Sequence, residues 1–279
     1  MWRRILLIAV VGCALSWGDL SVAPAGEMQL VHSIDLPDGV LSAYDLAWDG
    51  QYLYVPALAP TGAGSWGAGT YKLNAATGEV VSLLALEGLP LRSGAAWDGA
   101  DLWTTRAVGA SLVGPPVYTH TMERLSTDDG TVLWSETYVD SNVSPAGLAW
   151  DGSHLWLSDP NNLQINRIDP LSMSVVASFS APGTDPRGLA WDGNSLWCVD
   201  GASDLVYQLD TAGNVIESWT VPGSDPFGIT FDGEYFWVSD NDALQVHQLA
   251  VPEPSVMWLL SSGALFVAIA MCRRFCRSV

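Results

Sequence analysis

The chain has 279 residues, enough for one substantial domain with terminal signals, and carries 30 acidic against 11 basic side chains for a formal net charge of −19. Of the basic residues only Lys72, Arg92, Arg106, Arg124, Arg167 and Arg187 fall between residues 26 and 251, so the body of the chain repels phosphate and anionic headgroups, and nucleic acid is excluded as a partner. Fourteen tryptophans and no apolar period of 3.6 residues point to β-structure.

Residues 1–25 read as a secretory signal peptide. Met1-Trp-Arg-Arg4 is a basic region, Ile5 to Gly12 is a short apolar run, and Ala23-Pro-Ala25 is a small-x-small cleavage candidate. Val10-Val-Gly-Cys13 also resembles a bacterial lipobox, with lipidation at Cys13 as the alternative. A domain over residues 27–250 follows, opening on a lone strand, Gln29 to Leu36.

Beyond that strand one phrase returns five times, in its fullest form Gly188-Leu-Ala-Trp-Asp-Gly-Asn-Ser-Leu-Trp-Cys-Val-Asp200. The aromatic before its Asp-Gly falls at Trp48, Trp97, Trp150, Trp191 and Phe231, at intervals of 49, 53, 41 and 40 residues, a period typical of blades or solenoid units. Asp-Gly between two short apolar stretches signals a hairpin. Two further strands complete a unit, as in Leu163 to Ile168 and Ser174 to Ser180. The last unit has room for only one of them, Leu244 to Leu249. The expected fold is therefore an all-β, five-bladed β-propeller with four antiparallel strands per blade, the amino-terminal strand completing the last blade and closing the ring. A solenoid is the alternative, but its end units would need caps.

Trp48, Trp97, Trp103, Trp150, Trp156, Trp191, Trp197 and Trp237 are expected to fill the wedges between blades with their indole N–H satisfied, in preference to forming a sugar-stacking platform. Asp49, Asp98, Asp151, Asp192 and Asp232 are turn residues. Ala57 to Gly69 and Ala107 to Pro116, rich in Gly, Ala and Pro, are expected as irregular loops between the second and third strands of units one and two. They open on the face that also receives the blade-to-blade connections. That face is the candidate functional face.

The residues leading into the five innermost strands there are Tyr44, Ser93, Ala146, Arg187 and Phe227, and Asp45 stands where the other units have Gly94, Gly147, Gly188 and Gly228. Arg106 occupies the slot held later by Asp159, Asp200 and Asp240. The candidate ligand-binding set is accordingly Tyr44, Asp45, Arg92, Arg106 and Arg187. Arginine grips planar acceptors bidentately and tyrosine packs against an apolar or sugar face. The plainer reading makes Arg106 and Arg187 counter-charges in an acidic protein.

Asp159, Asp200 and Asp240 suit turn capping. Calcium is the one cofactor weighed for them, but the alternating ligands of a dedicated calcium loop are missing, so no metal or other cofactor is expected. Cys198, at a repeated strand position, reads as a buried small hydrophobe.

After the domain, Val251-Pro-Glu-Pro-Ser255 leads into the apolar stretch Val256 to Cys272 and then Arg273 and Arg274 within a basic tail, residues 273–279. As a helix that stretch spans about 26 Å, near the lower limit for crossing a bilayer, with the arginines left cytoplasmic. The order of Pro252-Glu253-Pro254, apolar segment and terminal arginines resembles the PEP-CTERM sorting signal of exported bacterial proteins. That resemblance implies recognition and processing of the tail by an exosortase, brief membrane anchoring through residues 256–272, delivery to the cell surface or outside, and a setting of exopolysaccharide or biofilm matrix. The repeated phrase itself resembles secreted propellers of the NHL and glutamine cyclotransferase kinds. It specifies blades, and no catalytic residue carries over. The expected function is a non-catalytic surface or matrix module binding a glycan or another surface protein. A secreted cyclotransferase- or lyase-like enzyme and a purely structural protein are the alternatives.

Overall fold

The computed structural model describes residues 26–62, 65–88, 92–110, 117–138 and 145–252, all of them strand, turn or irregular chain. The signal peptide, Cys13, Glu253, Pro254, the apolar segment 256–272, Arg273 and Arg274 lie outside the described residues.

The chain opens with β1 (Gly26–Glu27) and β2 (Gln29–Asp35). The first blade holds β3 (Ser42–Ala43), β4 (Ala47–Trp48), β5 (Tyr52–Gly62), β6 (Ser65–Asn74) and β7 (Val80–Gly88), and the second β8 (Arg92–Trp97), β9 (Leu102–Ala110), β10 (Val117–Leu125) and β11 (Val132–Tyr138). The third runs β12 (Leu148–Trp150), β13 (Leu155–Asp159), β14 (Gln164–Ile168) and β15 (Val175–Ser180), and the fourth β16 (Pro186–Trp191), β17 (Leu196–Asp200), β18 (Leu205–Leu209) and β19 (Val215–Thr220). The fifth has only β20 (Pro226–Phe231), β21 (Phe236–Asp240) and β22 (Gln245–Ala250) from its own segment. Its outer strand is β2, antiparallel to β22 from Gln29↔Ala250 to Asp35↔Gln245. This is a five-bladed propeller closed by its amino-terminal strand.

Two details depart from twenty regular strands. β1 adds a short parallel strand to the outer edge of the fourth blade, Gly26 opposite Trp219, so the amino terminus ties two blades together. The innermost strand of the first blade is broken into β3 and β4, both paired with β5, and the break falls at Tyr44 to Leu46. A third departure corrects an expectation. The stretch Ala57 to Gly69 is no irregular loop: β5 and β6 pair through it from Ala57↔Gly69 to Gly62↔Ser65, and β9 and β10 likewise pair as far as Ala110↔Val117. Ala57, Ala59 and Ala68 are buried, so these small residues serve as close-packing strand positions.

Five apolar clusters occupy the five seams between blades. Trp103, Met122 and Trp134 of the second blade, for example, meet Leu148, Leu157 and Trp150 of the third, while Trp197 and Trp219 of the fourth meet Phe236 and Val238 of the fifth. The recurrent Asp-Gly turn sets each wedge. Asp192 accepts the amide hydrogens of Asn194 and Ser195 through Oδ1, at 2.8 and 2.7 Å, and the indole N–H of Trp197 through Oδ2, at 2.7 Å. Asp98 with Trp103, Asp151 with Trp156 and Asp232 with Trp237 repeat the arrangement, and in the first blade the Tyr54 hydroxyl donates to Asp49. The turn glycine has φ near +97° at Gly193, a conformation that asparagine or glycine tolerates best. Asp192→Ala strands a buried indole donor and two turn amides. We expect a loss of about 2–4 kcal/mol, measured by urea unfolding as a lower midpoint at unchanged slope.

The innermost strands meet around the axis. A Cβ on Gly188 would lie 2.7 Å from the Gly228 Cα, and one on Gly147 or Gly228 would collide with the backbone of the next blade at Arg187 or Tyr44. Glycine at these positions lets the strands touch. Below this ring a small cavity of about 90 Å³ is bounded by Leu46, Ala96, Leu148, Thr230 and the aromatics that end the inner strands, among them Trp150 and Trp191.

Candidate functional site

The five residues leading into the innermost strands rim the mouth of the ring. Three of them form a continuous stack across three blades. The Tyr44 ring meets Phe227 edge-on with centroids 5.4 Å apart, and the Arg187 guanidinium lies 4.8 Å from the Phe227 centroid. Gly201 packs against that guanidinium, and a Cβ there would push the Arg187 side chain aside. The opposite side of the rim is small, Ser93 and Ala146. Ser93 Oγ reaches the Pro145 carbonyl of the next blade at 2.7 Å, and Ser239 Oγ reaches the Tyr44 carbonyl at 3.3 Å, so the rim is stitched blade to blade.

Arg187 is occupied by its own protein. Its Nε donates to Asp185 at 2.8 Å, and its other donors reach Asp225 at 2.5 Å and the Pro226 carbonyl at 3.1 Å. Burial works against its charge, but the two carboxylates outweigh it and raise its pKa. The side chain is still 18% exposed, so part of it reaches solvent at the rim. Arg106, in register with Arg92 across β8 and β9, pairs with the buried Glu123 at 3.0 Å on the seam between the first two blades. The side chain of Arg92 lies outside the described residues.

Asp45 is fully buried beneath the mouth, on the axis. Its Oδ2 accepts the amide hydrogens of Ala95 in the second blade, at 3.0 Å, and Leu148 in the third, at 2.7 Å, while no protein donor meets Oδ1. Burial pushes its pKa well above the usual carboxylate range, opposed by the bonded amides of Leu148 and Ala95 and, more weakly, by the nearby amides of Leu46 and Ile229, which lie outside hydrogen-bond geometry. The structure thus brings Tyr44 and Arg187 together at the rim, sets Asp45 below it and places Arg106 in a lateral seam.

Three features escaped the sequence reading. Phe227 joins Tyr44 to Arg187; its place in the rim series was legible, its contact was not. His120 on β10 is nine-tenths buried and faces the third blade, where the charge of Asp159 acts on it. Burial nevertheless lowers its pKa below 6.5, leaving the imidazole neutral at neutral pH. In the seam between the fourth and fifth blades, Ser33 Oγ lies 2.8 Å from His247 Nδ1, and His247 Nε2 lies 3.5 Å from Asp240. Asp159, Asp200 and Asp240 cap turns as expected, for instance Asp240 Oδ1 with the amides of Asp242 and Ala243 at 2.9 and 3.1 Å. Cys198 is buried, and burial raises its thiol pKa beyond reactivity at neutral pH. Among the described residues no three ligating side chains gather in a way that would hold a metal ion.

Fold and tail together define an exported β-propeller. Residues 250–274 match the PEP-CTERM protein-sorting motif, which directs such chains out of the cytoplasm to the surface or beyond and implies processing by an exosortase-type enzyme. Among solved structures the chain is similar to the glutaminyl cyclase of Myxococcus xanthus, at 13% identity and a TM-score of 0.64 over 83% of this chain and 100% of that one. Virginiamycin B lyase from Staphylococcus aureus also matches, at 14% identity and a TM-score of 0.47 over 81% of this chain and 100% of that one. At 13% identity the likeness to the cyclase shows the fold alone. No curated protein sequence matches the chain.

Proposed function

We propose that this exported propeller takes a small ligand at the mouth rimmed by Tyr44, Phe227 and Arg187, and converts it as a cyclotransferase- or lyase-like enzyme. The observation that carries the catalytic step is His120, a neutral imidazole on the third strand of the second blade, held in the field of Asp159 of the third. Asp159 follows Ser158, whose carbonyl accepts the Ala146 amide hydrogen at the mouth end of the third blade. A neutral imidazole takes up a proton, and a neighbouring carboxylate stabilises the imidazolium that results. The coextensive fold of the Myxococcus cyclase supports a matching reaction: the α-amine of an amino-terminal glutaminyl residue attacks its own γ-carbonyl. The carboxamide C–N bond breaks, and ammonia leaves with the proton that His120 carries. The acidic rim, with Asp185 and Asp225 beside Arg187, suits a peptide amino terminus better than an anionic ligand.

The test is ammonia release, with a 17 Da mass loss, from short glutaminyl peptides. His120→Ala should lower kcat at least about 100-fold in protein that still unfolds cooperatively. Because its pKa is lowered, the limb of the pH profile that His120 governs should lie below 6.5, beneath the separate fall as the substrate α-amine, near about 7.7–8.0 when free, takes up its proton. No turnover of glutaminyl peptides, or an unaffected His120→Ala variant, would refute the catalytic reading.

The aromatic stack favours a second reading, a non-catalytic module that holds a glycan or protein segment against Tyr44 and Phe227. Here Tyr44→Ala should weaken binding in a glycan array or matrix pull-down by about tenfold or more, with no product formed. Membrane anchoring through residues 256–272 and a matrix setting belong to the same proposal.

A further inference from the structure

The chain leaves the propeller beside a groove of about 620 Å³ on the face bearing the Asp-Gly turns, opposite the mouth. Its walls are the turn of the fourth blade at Asp192, the turn of the fifth at Phe231, Glu234 and Tyr235, and the departing chain at Val251 and Pro252. Glu234 is exposed, and Phe231 and Tyr235 are half-buried, so the groove offers two aromatic surfaces and an acidic edge. Pro252 is at once a wall of this groove and the first residue of the Pro252-Glu253-Pro254 signal.

We infer that the enzyme that processes the tail docks on this groove as well as on the tail, so that the folded propeller is part of the sorting signal. The inference rests on the tail being processed. The reach of the chain sets a limit: an extended chain advances at most about 3.6 Å per residue, so the end of the three-residue motif can be no farther than about 7 Å from Pro252 in the groove wall. A protein gripping those three residues cannot avoid the propeller. A stable protein contact covers roughly 800 Å² on each partner, more than a tripeptide presents, and on the propeller side of the motif the surface it meets is that of Glu234 and Tyr235. The acidic edge commits the partner to basic or other donor side chains there, with an apolar group against Phe231 and Tyr235. The same geometry turns the mouth away from the membrane while the tail is engaged, leaving it open to ligand.

The full-length chain is expressed in an exporting host with its processing system, and conversion of precursor to processed protein is followed by pulse-chase and intact mass. Glu234→Lys with Tyr235→Ala should slow conversion at least about fivefold, the loss expected for removing one interfacial anchor, while purified protein unfolds at the wild-type temperature. Glu234→Lys alone, a fully surface change, should slow it in the same direction. A flexible Gly-Ser insertion of about twelve residues between Val251 and Pro252, long enough to part motif from groove, should slow conversion to a similar extent and abolish any further effect of the double change. Wild-type rates for the folded double variant, or for the insertion, would overturn the inference. So would a tail-free propeller that dimerises through the groove and is made monomeric by Glu234→Lys, since a second copy would then be the occupant. A wild-type chain that is never converted would instead refute processing itself.

Discussion

A chain that starts at Pro37 is expected not to fold as a closed ring. The segment it lacks looks minor: β2 is exposed along most of its length, and β1 is two residues long. Yet Met28, Ile34 and Leu36 are among the buried apolar residues, at 1%, 3% and 8% exposure. Each contributes about 1.5–3 kcal/mol by leaving water. Their sum rivals the 5–15 kcal/mol that holds a typical domain together. Deletion also bares the whole outer edge of β22, an unpaired strand that invites association. Calorimetry should show the cooperative transition lost or lowered by about 20 °C or more, and a synthetic peptide of residues 26–36 added in trans should restore part of it. A near-normal transition would mean that five blades close without their fastener. Ile34→Ala, a milder form of the test, should cost about 2–4 kcal/mol.

That fastener was legible in the sequence because it followed from counting. Five aromatic-Asp-Gly turns fix five inner hairpins, the last unit falls one strand short, and one strand stands unassigned at the start. The turn chemistry was legible for the same reason, being confined within six residues from Asp192 to Trp197. What escaped depends on distant partners. Nothing local joins Arg187 to Asp225, and the opposing blade pairs Gly26 with Trp219 without any sequence pattern of its own. The Gly- and Ala-rich insertion in the first unit read as irregular because composition reports conformational freedom, whereas a hairpin extends wherever two backbones can pair and small residues let a neighbour close over them. Asp45 was noticed as a break in symmetry, but its role depends on where five strands converge, which no single repeat encodes.

Asp45 is the residue at which that convergence has its largest single consequence. Gly147, Gly188 and Gly228 allow the inner strands to touch, and at the equivalent position of the first blade a carboxylate reaches across the axis to strand-opening amides of the second and third blades. Asp45→Ala removes the acceptor from both and opens a void at a fully buried position. With each orphaned buried amide costing about 1–3 kcal/mol, the loss should reach about 3–5 kcal/mol, visible as a large fall in the urea midpoint. Asp45→Gly restores formal symmetry of sequence yet should be as harmful, since the amides remain without an acceptor. Asp45→Asn keeps one acceptor oxygen and separates charge from shape. Burial raises the folded pKa of Asp45 above its unfolded value, so the stability linked to its proton is full below the unfolded pKa and is lost as pH rises through the folded one. Carboxylates with lowered values, such as Asp151, behave oppositely: burial disfavours its anion, but the amides of His154 and Ser153, the Ser153 hydroxyl and the Trp156 indole hold it, and its contribution is lost on acidification. These opposing contributions cancel when wild type and Asp45→Asn are compared at each pH. The wild type should therefore gain on the variant as pH falls from 7 toward 4, and lose that gain as pH rises again. A difference that does not change across this range, or one of opposite slope, would show that the axial amides hold Asp45 as an ordinary anion and that burial does not govern its titration.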